Sequence, residues 1–535
     1  MDWRPLAVLL VLFATLFALR QLSPHLDIDE AHFYAPGQLA FAWGYDGSQP
    51  PLFNWLLSSA YWLTGGDLVV AVSALRFTLN FIAWALTFVL VVKATGRHDL
   101  GLLAVAALAL MPQVIWQMQI TLAHSVLVHT AAVASLYALY LAVTRGTLAS
   151  YATLGLALSA GILAKYSFLV ALVLCGVAVA SHTVTRQRLR AAGIAVMSAV
   201  IVAVTAPHAL WAVSNWQTTS ERMERIQVAH RDHFDLPYVG VDGLLTLGWS
   251  VFMTIGPALI IWGVIALLAR REQAAAGHAD ASSMTALAPL TDTARDWADL
   301  WGRMLAFGLG GTALAIFVFD IHRVEPRYLI PLGAMFAPWF ATAVTRVALP
   351  HRAIRAGLMI SGAILLVLPV AYALKTTSGG DRLSLPYARI ADDIVDSLPA
   401  RARGDVTIIT RRQVTAANIA RQLPRPSQLK RDQSQSAFAV VANTRKDLGW
   451  FNQVLDRLRS CGFSVTPRRV RAIPYVHGFL LRRTTSIVFA RIDKRQVTAS
   501  AASPAPPNVL TEADVAACAL GGDNPVPIRS HKRRS

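Results

Sequence analysis

Residues 151–181 read YATLGLALSAGILAKYSFLVALVLCGVAVAS, 31 positions with one charge, Lys165. As a single helix this run would extend about 46 Å, too long for a hydrocarbon core of ~30 Å. Arg145 precedes it, and Arg186, Arg188 and Arg190 follow it. Segments rich in Arg and Lys stay on the cytoplasmic side. Both ends are therefore expected inside, with the run crossing twice and turning near Ala164 to Tyr166.

Working outward, further apolar runs of membrane-spanning length fall at 5–20, 67–92, 100–118, 122–143, 191–213, 244–269, 302–320, 328–345 and 356–374. With the double pass they predict 11 spans. The N-terminus is then cytoplasmic. Arg4 and the stretch 6–19 resemble a signal peptide, but Arg20-Gln21-Leu22-Ser23 offers no small-x-small cleavage site. The first run is read as a retained span. Composition agrees: 55% of the 535 residues are apolar and 15% charged, with a mean hydropathy of +0.46. A soluble domain carries about 25% charged residues. A disordered chain, a collagen-like fibre and an ordinary cytosolic enzyme are excluded. The expected fold is an all-α polytopic membrane protein.

The polar end is a separate unit. From Lys375 onward there are 27 Lys+Arg against 12 Asp+Glu, leaving 22 against 19 for the first 374 residues. A membrane domain 1–374, an outer α/β domain 375–497 and a loose basic tail 498–535 are expected. The α/β pattern is a helix near 387–398, a strand at 405–410, a helix at 413–422, a strand at 437–442, a helix at 446–460 and strands near 463–466 and 485–492. Beside a membrane, so basic a surface suits anionic headgroups, and nucleic acid is not an expected partner. Cys461 and Cys518 both fall in this part and have the opportunity to pair outside the cytoplasm.

Asp27-Ile28-Asp29-Glu30-Ala31-His32 follows the first span. Three carboxylates in four residues beside a membrane suit either a divalent cation near Asp29 and Glu30 or a general base. Gly44-Tyr45-Asp46-Gly47-Ser48-Gln49-Pro50-Pro51-Leu52-Phe53 then leads into a segment rich in Trp and Leu. It is expected as an interfacial helix with Trp55, Tyr61 and Trp62 at headgroup depth. An acidic loop closed by such a helix is a pocket at the membrane boundary.

This pattern of Asp-Glu-Ala, Trp-Gly-Tyr and Pro-Pro-Leu resembles the first outer loop of bacterial C-type glycosyltransferases. More narrowly it resembles the family of protein O-mannosyltransferases and lipid A aminoarabinose transferases, polytopic enzymes that take sugars from polyprenyl phosphate. The resemblance implies a catalytic base at Asp29, with Glu30 beside it. Gln49 stands where many members have an acid or a His before Pro-Pro. Gly161-Ile162-Leu163-Ala164-Lys165-Tyr166 resembles the family's Gly…Lys-Tyr segment, and Glu325-Pro326-Arg327-Tyr328-Leu329-Ile330-Pro331 its Arg-Tyr…Pro segment. Lys165, Tyr166, Arg327 and Tyr328 are the implied donor-phosphate contacts. A lysine at a bilayer centre costs ~2.5–3.5 kcal/mol, which a phosphate offsets; snorkelling to the interface is the plainer reading. Arg327 has the fork geometry for phosphate oxygens. In the 11-span topology Asp29, Lys165 and Arg327 share one side.

Related proteins often place Asp-Ala-Pro where this chain has Gln119-Ile120-Thr121-Leu122-Ala123-His124-Ser125. His124 is a candidate acceptor contact, with capping or packing as its plainer role, and His208 is weighed the same way. Glu221, Glu224, His230, Asp232, His233 and Asp235 match no standard zinc spacing.

The expected activity is transfer of a sugar from a polyprenyl-phosphate donor to a hydroxyl of lipid A or lipopolysaccharide, another glycan or a protein. It would take place at the outer face of an inner membrane, with inversion at the anomeric carbon. A lipid or solute transporter, or a flippase, is the rival reading. Transporters often carry internal repeats and broken helices near the midplane, and no repeat is visible here.

Overall fold

The computed structural model describes residues 2–35, 37–45, 49–216, 240–275, 287–347, 349–378, 383, 385–397, 406–410, 413–423, 437–443, 448–460, 464–477, 481–493 and 528–529. Cys461, Cys518, residues 217–239 with their acids and histidines, and the tail apart from 528–529 lie outside the described residues. Two compact units are formed, Met1–Leu19 with Ala40–Ala371, and Arg20–Leu39 with Tyr372–Ser535.

The helices in chain order are α1 (Arg4–Arg20), α2 (Ile28–Phe33), α3 (Leu52–Leu63), α4 (Leu68–Thr95), α5 (His98–Ala109), α6 (Met118–Ile120), α7 (Ala123–Arg145), α8 (Leu148–Ala164) and α9 (Ser167–Ser181). They continue as α10 (Thr183–Arg188), α11 (Ala191–Ser214), α12 (Val241–Ala275), α13 (Asp292–Val318), α14 (Ile330–Ala343) and α15 (His351–Ser378). Among the described residues six, α4, α7, α11, α12, α13 and α15, are long and apolar enough to cross a membrane. A seventh crossing arises if α5 and Gln113–Ile120, bent 75° apart, are one span. The helices α1, α8, α9 and α14 have 17, 17, 15 and 14 residues. At 1.5 Å per residue they reach about 21–26 Å, short of a ~30 Å core. The 11 expected segments are thus all helical, but length alone carries six or seven of them.

Local chemistry sets the ends. Asp67 caps α4 by accepting from the Val69 and Val70 amides at 2.8 and 3.1 Å. Gly96 and Gly146, at φ 73° and 64°, close α4 and α7 in the left-handed conformation a side chain resists. The bend after α5 begins at Pro112 and runs through a π-turn at Gln113–Gln117. The side-chain Nε2 of Gln119, just past the turn, donates to the Val114 carbonyl at 2.8 Å. In α14 twelve of fourteen residues are buried, from Ile330 to Thr342, so it is apolar around its whole circumference. It packs on α4, α5, α7 and α13 as the centre of the first unit.

The second unit contains α2, α16 (Tyr387–Ser397), α17 (Gln413–Gln422) and α18 (Leu448–Ser460). One sheet has the order β3-β4-β2-β1-β5. Its strands are β1 (Val406–Thr410), β2 (Ala437–Asn443), β3 (Ser464–His477), β4 (Leu481–Asp493) and β5 (Ile528–Arg529). β1 and β2 are parallel, Val406 opposite Ala437, which requires a crossover connection, and α17 lies between them in sequence. The other pairs are antiparallel. β3 is much longer than the expected 463–466. Pro467 and Pro474 hide it from a sequence pattern, yet β3 is an edge strand, where proline is tolerated.

Candidate functional site

In the first unit the 151–181 run breaks at Lys165, which is extended at φ −164° and ψ 132° between α8 and α9. Gly161 permits the break. A Cβ there would lie 2.3 Å from the Phe168 ring, so no other residue fits unless the ring moves. Lys165 is 4% exposed. Its Nζ donates to Ser125 Oγ at 2.8 Å and to the Arg327 carbonyl at 3.1 Å, and lies 5.6 Å from the centre of the Tyr328 ring. Those oxygens orient the ammonium, and an ammonium aimed in this way suits an anion.

Arg327 lies on the 3₁₀ turn Pro326–Tyr328 that precedes α14. Its Nε is 2.6 Å from Glu325 Oε2, and its guanidinium carbon is 5.6 Å from the Tyr328 ring centre. Glu325 also faces Arg323 at 3.6 Å. The backbone oxygen of Arg327 therefore positions Lys165, while its half-exposed side chain is held by Glu325.

The Trp43-Gly44-Tyr45 stretch joins the same unit. Trp211 fills the space a Cβ on Gly44 would need, approaching to 2.0 Å. His208 links it to the helix break: Nδ1 is 2.8 Å from the Trp43 carbonyl and Nε2 is 3.1 Å from Tyr166 Oη. Phe41, Trp43 and Trp55 form an aromatic group, with Trp55 Nε1 donating to the Ala42 carbonyl at 2.8 Å. In α3, Phe53, Asn54 and Leu57 point inward and Trp62 is 81% exposed. His124 packs against Phe53, with ring centres 5.2 Å apart. Gln49 is half-buried.

In the second unit the acidic stretch is the short helix α2 rather than a loop. Its cause is a capping box: Asp27 caps the start, and Glu30 Oε2 accepts from the Asp27 amide at 2.8 Å. Glu30 is fully buried and ion-paired with Arg20, Oε1 to Nε at 3.1 Å and Oε2 to Nη2. Arg20 also donates to the carbonyls of Ser23 and His25, both at 2.8 Å. Asp27 faces Lys375 at 4.0 Å. Asp29 is half-buried in the first turn of α2. His25 packs edge-on against Tyr387. Burial, with Arg421 and Arg20 nearby, pushes its pKa down to about 4. Among the described residues no three His, Cys, Asp or Glu side chains converge as metal ligands. Both Glu30 oxygens are already engaged, so Glu30 fits a role in holding α2 better than that of a cation ligand.

Residues 48–211 match the family model described as dolichyl-phosphate-mannose-protein mannosyltransferase. The chain is 25% identical over 395 residues to the lipopolysaccharide core galacturonosyltransferase RgtB of Rhizobium johnstonii (strain DSM 114642 / LMG 32736 / 3841), covering 71% of this chain and 74% of the relative. RgtA of the same strain, also a lipopolysaccharide core galacturonosyltransferase, is 27% identical over 336 residues, covering 61% and 62%. The crystal structure of ArnT from Cupriavidus metallidurans bound to undecaprenyl phosphate superimposes with a TM-score of 0.56 at 13% identity, over 92% of this chain and 98% of that one. The chain shares the fold of that ArnT structure.

The matched segment 48–211 contains Gln49, His124, Lys165, Tyr166 and His208, and leaves Asp29, Glu30, Arg327 and Tyr328 outside. Of the residues singled out in the sequence, the structure gathers Lys165, Arg327 and Tyr328 in one cluster. Tyr166 turns instead to His208, and Asp29 and Glu30 belong to the second unit. Ser125 was not anticipated. It stands in an apolar helix, one residue past His124, where no periodicity marks it. Asp27-x-x-Glu30 is a capping-box spacing, a signal that identifies α2 from sequence.

Proposed function

We propose that the protein transfers a sugar from a polyprenyl-phosphate donor to a hydroxyl of an envelope glycan, at the outer face of the inner membrane. The observation that carries the reading is Lys165: a lysine 4% exposed at a break between two apolar helices, aimed by Ser125 and by the Arg327 carbonyl. In this reading the acceptor oxygen attacks the anomeric carbon and the bond from that carbon to the phosphate oxygen breaks. Lys165 and Arg327 hold the charge that grows on the leaving phosphate. Asp29 takes the acceptor's proton, a role that rests on the family resemblance. Glu30 holds α2 through Arg20. A single displacement inverts the anomeric centre. The proposed topology has 11 spans, with the N-terminus cytoplasmic and the C-terminal α/β domain outside.

The names of the two relatives favour lipopolysaccharide core as acceptor and a galacturonosyl group as the first sugar to test. Purified full-length protein is supplied with polyprenyl-phosphate sugars and with lipopolysaccharide, other glycans or protein acceptors. Release of polyprenyl phosphate that depends on one acceptor class supports the reading. No release with any donor, alongside movement of labelled lipid between leaflets of vesicles, moves the assignment to a flippase.

A further inference from the structure

The segment that carries Asp29 is held by a side chain almost 400 positions away. Asn418, 1% exposed in α17, engages both its amide oxygen and its amide nitrogen. Oδ1 accepts from the Leu26 amide at 2.7 Å, and Nδ2 donates to the Leu26 carbonyl at 2.9 Å. Nδ2 also donates to the Val414 carbonyl, one turn back in its own helix, at 2.9 Å. That bond fixes which way the amide faces. Asn418 thus pairs with Leu26 as a neighbouring strand would, taking both backbone groups of one residue.

Leu26 is fully buried and directly precedes Asp27, the cap of α2. Asp29 is the second residue of that helix, so the direction of its Cα–Cβ bond follows the direction in which α2 starts. One turn along α17, Arg421 Nη1 donates to the Pro24 carbonyl at 2.8 Å. Ser23 Oγ donates to the Leu383 carbonyl at 3.3 Å. Three positions just ahead of the acidic helix, Leu26 and Pro24 through their backbone and Ser23 through its side chain, are therefore fixed by polar bonds within the second unit. Apolar packing at position 418 would fill the space but leave the buried Leu26 amide and carbonyl unmatched.

We infer that Asn418 is a positioning residue for the reaction: it sets the start of α2 and so the aim of Asp29. The inference rests on the reading of Asp29 as the base, and it gives the second unit a part in turnover. An amide is specifically required. Aspartate keeps an acceptor for the Leu26 amide but has no N–H for its carbonyl, and alanine offers neither.

The test uses the full chain in lipid nanodiscs with Asn418→Ala, Asn418→Asp and Arg421→Ala. Two quantities are read: hydrogen exchange in the peptide spanning 21–34, and kcat and donor KM for release of polyprenyl phosphate. Asn418→Ala is expected to speed exchange there about tenfold and lower kcat about tenfold, as loss of one or two buried hydrogen bonds suggests. Donor KM should stay within about twofold, since the phosphate contacts lie elsewhere in the chain. Asn418→Asp should fall between Ala and wild type, and Arg421→Ala should loosen the same peptide about threefold. Unchanged exchange in all three variants overturns the clamp. Faster exchange with unchanged kcat overturns the positioning role. If Asn418→Ala fails to insert, the other two variants decide on the same readouts. Absence of release by the wild-type protein brings down the transferase reading and the positioning role with it, and exchange then decides the clamp alone.

Discussion

Lys165 Nζ donates to Ser125 Oγ across 2.8 Å, tying the break between α8 and α9 to the first turn of α7. The same nitrogen reaches the Arg327 carbonyl at 3.1 Å, so three distant stretches of sequence meet on one ammonium. The bond to Ser125 fixes where the positive charge sits, and the contact at Arg327 brings in the turn that opens α14.

Lys165→Ala is expected to lower use of the lipid-linked donor by about 10–150-fold, the worth of a charge-assisted hydrogen bond of roughly 1.5–3 kcal/mol. Ser125→Ala leaves the charge in place but releases its aim, and should cost about 3–10-fold in the same parameter. Initial rates against donor concentration check both. Wild-type donor kinetics in both variants would mean that the phosphate binds elsewhere.

Gly161→Val should destabilise the first unit, because a Cβ at 2.3 Å from the Phe168 ring forces that ring or the helix break to move. Overpacking of this kind is worth about 1–3 kcal/mol. A lower thermal midpoint in detergent is expected. Adding Phe168→Leu should return part of it, since the shorter side chain vacates the crowded space. A double variant no more stable than Gly161→Val alone would show that the clash is not what limits it.

The helix break was legible in the sequence because one lysine stands in 31 otherwise uncharged residues and Arg flanks both ends. The segment 325–331 was legible through its resemblance to the family's Arg-Tyr…Pro segment. Ser125 and His208 were not. A serine or histidine inside an apolar helix looks the same whether it packs or aims a neighbour, and only the fold brings Ser125 to Lys165 or His208 to Tyr166. Asn418 lies further from reach, since its partner Leu26 is joined to it by tertiary structure alone. The long β3 strand was hidden by two prolines, whose tolerance depends on the strand's place at the sheet edge.

His25 predicts an acid-sensitive second unit. Its pKa is about 4 in the folded protein and 6.5 in the open chain, held down by burial and by Arg421 and Arg20. Between those values the unfolded segment binds more protons than the folded one, so stability falls as pH drops from about 6.5 to about 4 and is flat above. Exchange in the 21–34 peptide, corrected for the intrinsic effect of pH, should rise over that window. His25→Phe keeps an aromatic ring against Tyr387 and removes the proton site, so it should flatten the response. An unaltered pH profile in His25→Phe would assign the acid sensitivity to another group.

Asp29 and its neighbour separate chemistry from architecture. Asp29 is half-buried in the first turn of α2, and Asp29→Asn is nearly isosteric, so insertion and folding should survive. An amide cannot take the acceptor's proton, and loss of a general base typically lowers turnover about 10²–10⁴-fold. Glu30→Gln should fail differently. Glu30 is fully buried, and it is the charge partner of Arg20, itself 2% exposed. Breaking such a pair from one side leaves a buried charge uncompensated and costs about 3–5 kcal/mol. Glu30→Gln should therefore appear as lost protein, or as faster exchange across 21–34, with the molecules that remain folded retaining more activity than Asp29→Asn. Glu30→Gln with Arg20→Met removes both charges and should recover much of the stability. Quantifying folded protein and activity per folded molecule distinguishes the two residues. Full turnover in Asp29→Asn would remove it from the base role, and a stable, inactive Glu30→Gln would give that role to Glu30 instead.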